Sequence, residues 1–126
     1  TSLGRYDRAI PILRELTTQS PDLPELANSL AWIYATSADA SYRNPEEAVR
    51  LAEKANKLTD GGQHAVLDTL AAAYAAAGRF DDAKQTIAEA IRRAEAAKRP
   101  DAVSAYRERQ RLYEAGKPFF EPRKRG

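Results

Sequence analysis

Leu70-Ala71-Ala72-Ala73-Tyr74-Ala75-Ala76-Ala77-Gly78-Arg79-Phe80-Asp81-Asp82-Ala83 is the stretch that decides the fold. Its first eight residues form the longest apolar run of the chain, far short of the about 20 needed to cross a bilayer. Six of those eight residues are alanine, and alanine has the best intrinsic helix propensity. Gly78 stops that helix, since glycine accepts the left-handed conformation that closes a helix end. Asp81 and Asp82 open the next one, where first-turn acids complement the helix dipole. The stretch therefore reads as helix, tight turn, helix.

The same punctuation recurs outward from this point. Arg5 to Thr17 carries Tyr6, Ala9, Ile10, Leu13 and Leu16 at helical spacing. Pro21 and Pro24 break the chain before a helix from Glu25 to about Ser37. Asn44-Pro45-Glu46-Glu47 is a start signal, with Asn44 as cap, Pro45 in the first turn and Glu47 three residues after the cap. That helix runs to Leu58 and ends at Asp60-Gly61-Gly62. Further helices are expected over His64 to Ala77, Asp81 to about Lys98 and Asp101 to Ala115, the last ended by Gly116 and Pro118. No segment alternates polar and apolar residues as a strand would.

Composition agrees. The chain has 126 residues, 43% hydrophobic and 30% charged, which suits one folded domain rather than a disordered segment. Twenty-five residues are alanine, by count of the sequence. A net charge of +2 is too balanced to imply nucleic acid by itself. The absence of cysteine removes disulfides and thiol chemistry.

Three segments align: Gly4-Arg5-Tyr6-Asp7-Arg8-Ala9, Arg43-Asn44-Pro45-Glu46-Glu47-Ala48 and Gly78-Arg79-Phe80-Asp81-Asp82-Ala83. Their closing alanines lie 39 and then 35 residues apart. Leu30-Ala31-x-x-Tyr34 and Leu70-Ala71-x-x-Tyr74 align as well, 40 residues apart. In this the chain resembles the tetratricopeptide repeat family, built on a helix-turn-helix of about 34 residues. The third unit matches at Leu70, Ala71, Tyr74, Gly78, Phe80, Ala83 and Ala90, the second at Leu30, Ala31, Tyr34, Ala48 and Ala55, and the first at Gly4, Tyr6, Ala9 and Pro21. Ala27 and Leu67 stand where the family often has tryptophan, and Asp60 where it usually has proline. The insertion in the Thr36 to Asn44 loop is expected either to lengthen the helix before it or to bulge from one edge.

The resemblance implies an all-α solenoid of antiparallel helix pairs. It divides as a partial repeat at 1–22, repeats at 24–60 and 64–98, a capping helix at 101–115 and a basic tail at 117–126. The first unit lacks its first helix, which implies a fragment of a longer array with Tyr6, Ile10 and Leu13 partly uncovered and self-association through that face. The implied role is a scaffold that binds a protein or peptide on its concave face. By resemblance that face comprises Glu25, Asn28, Ser29, Trp32, Ala35 and Thr36 from one unit and Ala65, Asp68, Thr69, Ala72, Ala75 and Ala76 from the next.

Trp32 is the natural anchor, since large aromatics dominate interfaces; equally, it can pack on a neighbouring helix or the inserted loop. Some family members clamp a carboxylate on this face, which Asp68 would repel. Catalysis is not expected: His64 is the single histidine and has no evident paired base, and phosphate loops are absent. No cofactor, metal or membrane partner is expected, and nucleic acid is disfavoured. Two alternatives stand beside the scaffold. The stack positions an attached enzyme domain, or the tail Lys117, Arg123, Lys124 and Arg125 with Arg92, Arg93, Arg107 and Arg111 contacts a polyanion. For the tail, the favoured reading is an exit linker whose Phe119 and Phe120 dock back on the last helix.

Overall fold

The computed structural model describes the backbone of residues 2–121 and the side chains of residues 8–121. Over those residues the protein is all-helical and carries no strand. The helices are α1 (Ser2–Gln19), α2 (Pro24–Thr36), α3 (Pro45–Leu58), α4 (His64–Ala76), α5 (Phe80–Ala96) and α6 (Pro100–Glu114). Each packs on its chain neighbours, and α2 also packs on α4.

The ends follow local chemistry. The Asn44 side chain accepts the Glu47 N–H at 3.4 Å, and Pro45 occupies the first turn of α3. That helix closes through two successive left-handed residues, Asp60 (φ 57°) and Gly61 (φ 72°). Gly78 (φ 82°) closes α4 as expected, but α5 ends on Lys98 (φ 59°), where a β-carbon makes the left-handed turn costlier.

The Thr36 to Asn44 insertion does not lengthen α2, which stops at Thr36. It forms a loop with one 3-10 turn at Ala40–Tyr42, capped by Asp39. The Asn44 N–H donates to the Tyr34 carbonyl at 2.9 Å, and Arg43 donates to the carbonyls of Ser37 (2.7 Å) and Ala38 (3.0 Å). These bonds absorb the backbone groups that an excursion of this length exposes.

Two core clusters share α4. One gathers Leu30, Ala31, Tyr34, Ala48, Leu51, Ala52 and Leu70, with Ile10 and Leu13 packed against it. The other gathers Leu67, Ala71, Ala83, Ile87, Ala90, Ile91, Tyr106 and Tyr113. Ala48 and Ala83 are fully buried, whereas Ala9 is half-buried. Alanine at such points lets helix axes approach, while the larger side chains fill the space between. Each large aliphatic side chain so buried contributes about 1.5–3 kcal/mol. Gly4 lies inside α1 rather than in a turn, so it does not play the part of Gly78. The Tyr6 side chain lies outside the described residues.

Candidate functional site

The site grows from the face of α2 that bears Glu25, Asn28, Ser29 and Trp32, which recur at helical spacing. Across from it, α4 presents Ala65, Asp68 and Thr69. All of these but Glu25, with Ile33 and with Arg109 from α6, line an open cleft of about 450 Å3. Glu25, Ser29 and Ala65 are exposed, and Asn28 and Trp32 half-buried. Thr36 and Ala72 do not belong to an open surface: Thr36 is 1% exposed and Ala72 0%. Ala35 and Ala75 are likewise buried. Ala35, Ala72 and Ala75, expected on the concave face beside Trp32, are therefore covered; α4 sits between the two core clusters and buries its small residues on both sides.

Arg109 is the residue that organises this region. Its guanidinium donates to Asp68 Oδ2 at 2.5 Å. It also lies 5.1 Å from the Trp32 ring centre, 4.6 Å from Phe119 and 5.8 Å from Tyr106. A planar, weakly hydrated cation suits such a stacked, half-desolvated place better than lysine. Asp68 is buried at 7% exposure. Burial pushes its carboxyl up to about 6 despite the opposing pull of Arg109. Its Oδ1 has no hydrogen-bond partner, and neither does Asn28 Oδ1.

The C-terminal segment completes the surroundings. Instead of leaving the fold as a linker, residues 117–121 cross back onto α2. Phe119 meets the Trp32 ring at 5.9 Å between centres. The Trp32 indole N–H donates to Glu121 Oε1 at 2.6 Å, and the Glu121 backbone N–H donates to the Thr36 carbonyl at 2.7 Å. Phe120 lies beneath the Arg43 guanidinium, 3.7 Å from ring centre. Docking thus reaches α2 and the insertion loop, not merely the last helix. Arg123, Lys124 and Arg125 lie outside the described residues.

The chain finds no match among protein-family models, curated proteins or solved structures.

Elsewhere several polar groups are committed to structure, while Asn56 Oδ1 and the Tyr113 hydroxyl are buried without a hydrogen-bond partner. His64 Nδ1 and the Tyr106 hydroxyl are hydrogen-bonded at 2.8 Å, tying α4 to α6. Burial pushes the Tyr106 hydroxyl up to about 12. Arg92 and Arg93 both pair with Glu89, and Arg107 pairs with Glu95. Among the described residues no group of three or more histidine, aspartate and glutamate side chains is placed to hold a metal ion. No helix there is long and apolar enough to cross a membrane.

Sequence reasoning missed Arg109, Phe119 and Glu121 as parts of this site. A signal for Arg109 existed. It falls three residues after Tyr106 and four before Tyr113, on the inward stripe of α6, whereas Arg107 and Arg111 fall off it. For Phe119 and Glu121 nothing local announces a return across α2, since the contact spans 89 residues of chain.

Proposed function

We propose that this chain is a docking module of tetratricopeptide type, which holds a non-helical segment of another protein on the side of the stack formed by α2 and α4. Packing of each helix on its chain neighbours supports the repeat reading, as do the fully buried alanines Ala48 and Ala83 at equivalent places in the second and third units. The observation that carries the docking reading is the protein's own segment Phe119–Glu121. It lies on that side through one aromatic stack, one backbone hydrogen bond and one side-chain carboxylate bond. Those are the contacts by which a groove holds a peptide: main-chain bonds give affinity and side-chain pockets give specificity.

The test separates the segment from its seat. In the full chain, Phe119→Ala with Phe120→Ala weakens the internal contact. A synthetic Lys-Pro-Phe-Phe-Glu peptide is then expected to bind that variant in the micromolar range, as a handful of such contacts gives. Adding Trp32→Ala is expected to weaken it by at least about tenfold, the scale of one aromatic anchor. Failure of the peptide to bind, or binding indifferent to Trp32→Ala, sinks the docking reading.

A further inference from the structure

A second cleft, of about 320 Å3, opens between α1, the end of α2 and the insertion loop. It shares no lining residue with the cleft beside Trp32. Its charge is one-sided. Arg14 and Arg43 line it and no described carboxylate does, whereas the cleft beside Trp32 carries Asp68 and the one at the α5–α6 turn carries Glu95. Most arginines of the described residues are ion-paired, but neither Arg14 nor Arg43 is among them. Arg14 is exposed on α1, and among the described residues no hydrogen bond holds its guanidinium. Arg43 is held by the neutral carbonyls of Ser37 and Ala38, which fix its guanidinium without cancelling its charge. Neither Glu47, ion-paired to Arg50, nor Asp39, which accepts from the Ser41 hydroxyl and N–H, lines the cleft. Tyr34 does line it, at only 6% exposure, and its hydroxyl makes no hydrogen bond among the described residues yet is not closed to solvent. Burial raises that hydroxyl above its ordinary value and Arg14 pulls it back, so the guanidinium lies within electrostatic reach of it. Asn44 is tied to the same place by its N–H on the Tyr34 carbonyl at 2.9 Å. Its side-chain oxygen is spent on the Glu47 N–H, which leaves its NH2 group as a donor.

We infer that this cleft binds a phosphate monoester, its phosphate taken by the guanidinium groups of Arg14 and Arg43 and by the Tyr34 hydroxyl. The donors come from three elements, α1, α2 and the loop, and so approach from different directions. A tetrahedral phosphate offers acceptor oxygens in as many directions, whereas a carboxylate keeps its two in one plane. Guanidinium groups suit phosphate through their paired N–H donors. Two unpaired cations match the charge of about −1.5 to −2 that such a group carries at pH 7. The cleft volume of about 320 Å3 is about ten times the share of one water molecule, which leaves room for the group esterified to the phosphate. Ile10 and Pro11 give that group an apolar wall. A phosphorylated side chain of a protein and a free small ester present the same dianion to these residues.

The experiment uses the full chain and calorimetry at low salt with four probes: phenyl phosphate, benzoate, an acetyl-Ala-Ala-Ser-Ala-Ala-amide peptide phosphorylated on its serine, and the same peptide without phosphate. Phenyl phosphate is expected to bind with a Kd of about 1 mM or tighter, and at least about tenfold more tightly than benzoate. Arg14→Gln, at an exposed position, is expected to weaken it by at least about tenfold. Tyr34→Phe keeps the buried ring and is expected to weaken it several-fold. Arg111→Gln, exposed on α6 and outside the cleft, is expected to leave it unchanged. Tighter binding of the phosphopeptide than of phenyl phosphate names a phosphorylated protein as the source. The reverse order names a small ester, and both orders support the site. Equal binding of benzoate overturns the phosphate assignment, as does equal binding of the peptide without phosphate. Arg111→Gln weakening binding as much as Arg14→Gln reduces the effect to general attraction of anions and overturns it too. No binding of the two phosphorylated probes also overturns it.

Discussion

Asp68 sits 7% exposed with one oxygen on Arg109 and the other unpartnered. Its raised carboxyl gives an unusual sign to the pH dependence of folding. An ordinary paired carboxylate has a lowered folded value and loses stability in acid. Here the folded value is about 6 against 3.8 in a free side chain, so between those values the folded protein holds a proton that the unfolded chain has released. The contribution of this group is therefore full below about pH 4 and is lost as pH rises through 6, by up to about 3 kcal/mol. Urea unfolding of the wild type and Asp68→Asn across pH 4–7 checks this. The stability difference between them should move with pH in that direction, and a flat difference contradicts it. The family resemblance implied a concave-face position for Asp68, and in the structure it lines the cleft with Ala65 and Thr69. Its partner was not legible, because an arginine 41 residues away declares itself only when α6 is laid against α4.

At the level of elements, helix starts and stops were read closely, since caps, prolines and glycines act within a turn of themselves. The end of α5 is the exception. Lys98 takes a positive φ that sequence reasoning assigned to no residue there. Lys98→Gly removes the steric cost of that conformation and is expected to raise stability by about 1 kcal/mol, read as a shift in the thermal midpoint. A lowered midpoint counts against the turn geometry. The returning segment is the other element that local signals could not place. Phe119→Ala removes its stack on Trp32 and Arg109 and is expected to cost about 2 kcal/mol, about half the loss for a fully buried phenylalanine. Trp32 emission should shift to the red at denaturant concentrations below the main transition. Coincident, unshifted transitions in the variant and the wild type would show that the segment contributes nothing.

Over the whole molecule, stability is unevenly spread. Helix α1 packs mainly on α2, with Ile10 and Leu13 against the core but Ile12 57% and Leu16 38% exposed. Helix α4 belongs to both clusters. Local opening follows the density of buried apolar contact. Amide hydrogen exchange is therefore expected to be fastest in α1 and slowest in α4, and equal protection in the two would refute that ordering. The recurrence of Ala48 and Ala83 made the spacing of the core visible in the sequence. The covering of Ala72 and Ala75 was not visible, because an alanine-rich helix reads alike whether one or both of its sides are enclosed.

The loop at Gly61–Gly62 joins the part of the chain before α4 to α4 itself, and α4 contributes to both halves of the interior. A backbone nick there would leave the leading piece with its apolar flank bare and the trailing piece with half of α4 unclad. Each fragment would then be the other's missing complement. Mixed together, the two pieces should reassemble without a peptide bond between them, which makes chain continuity at this loop dispensable as long as α4 stays whole.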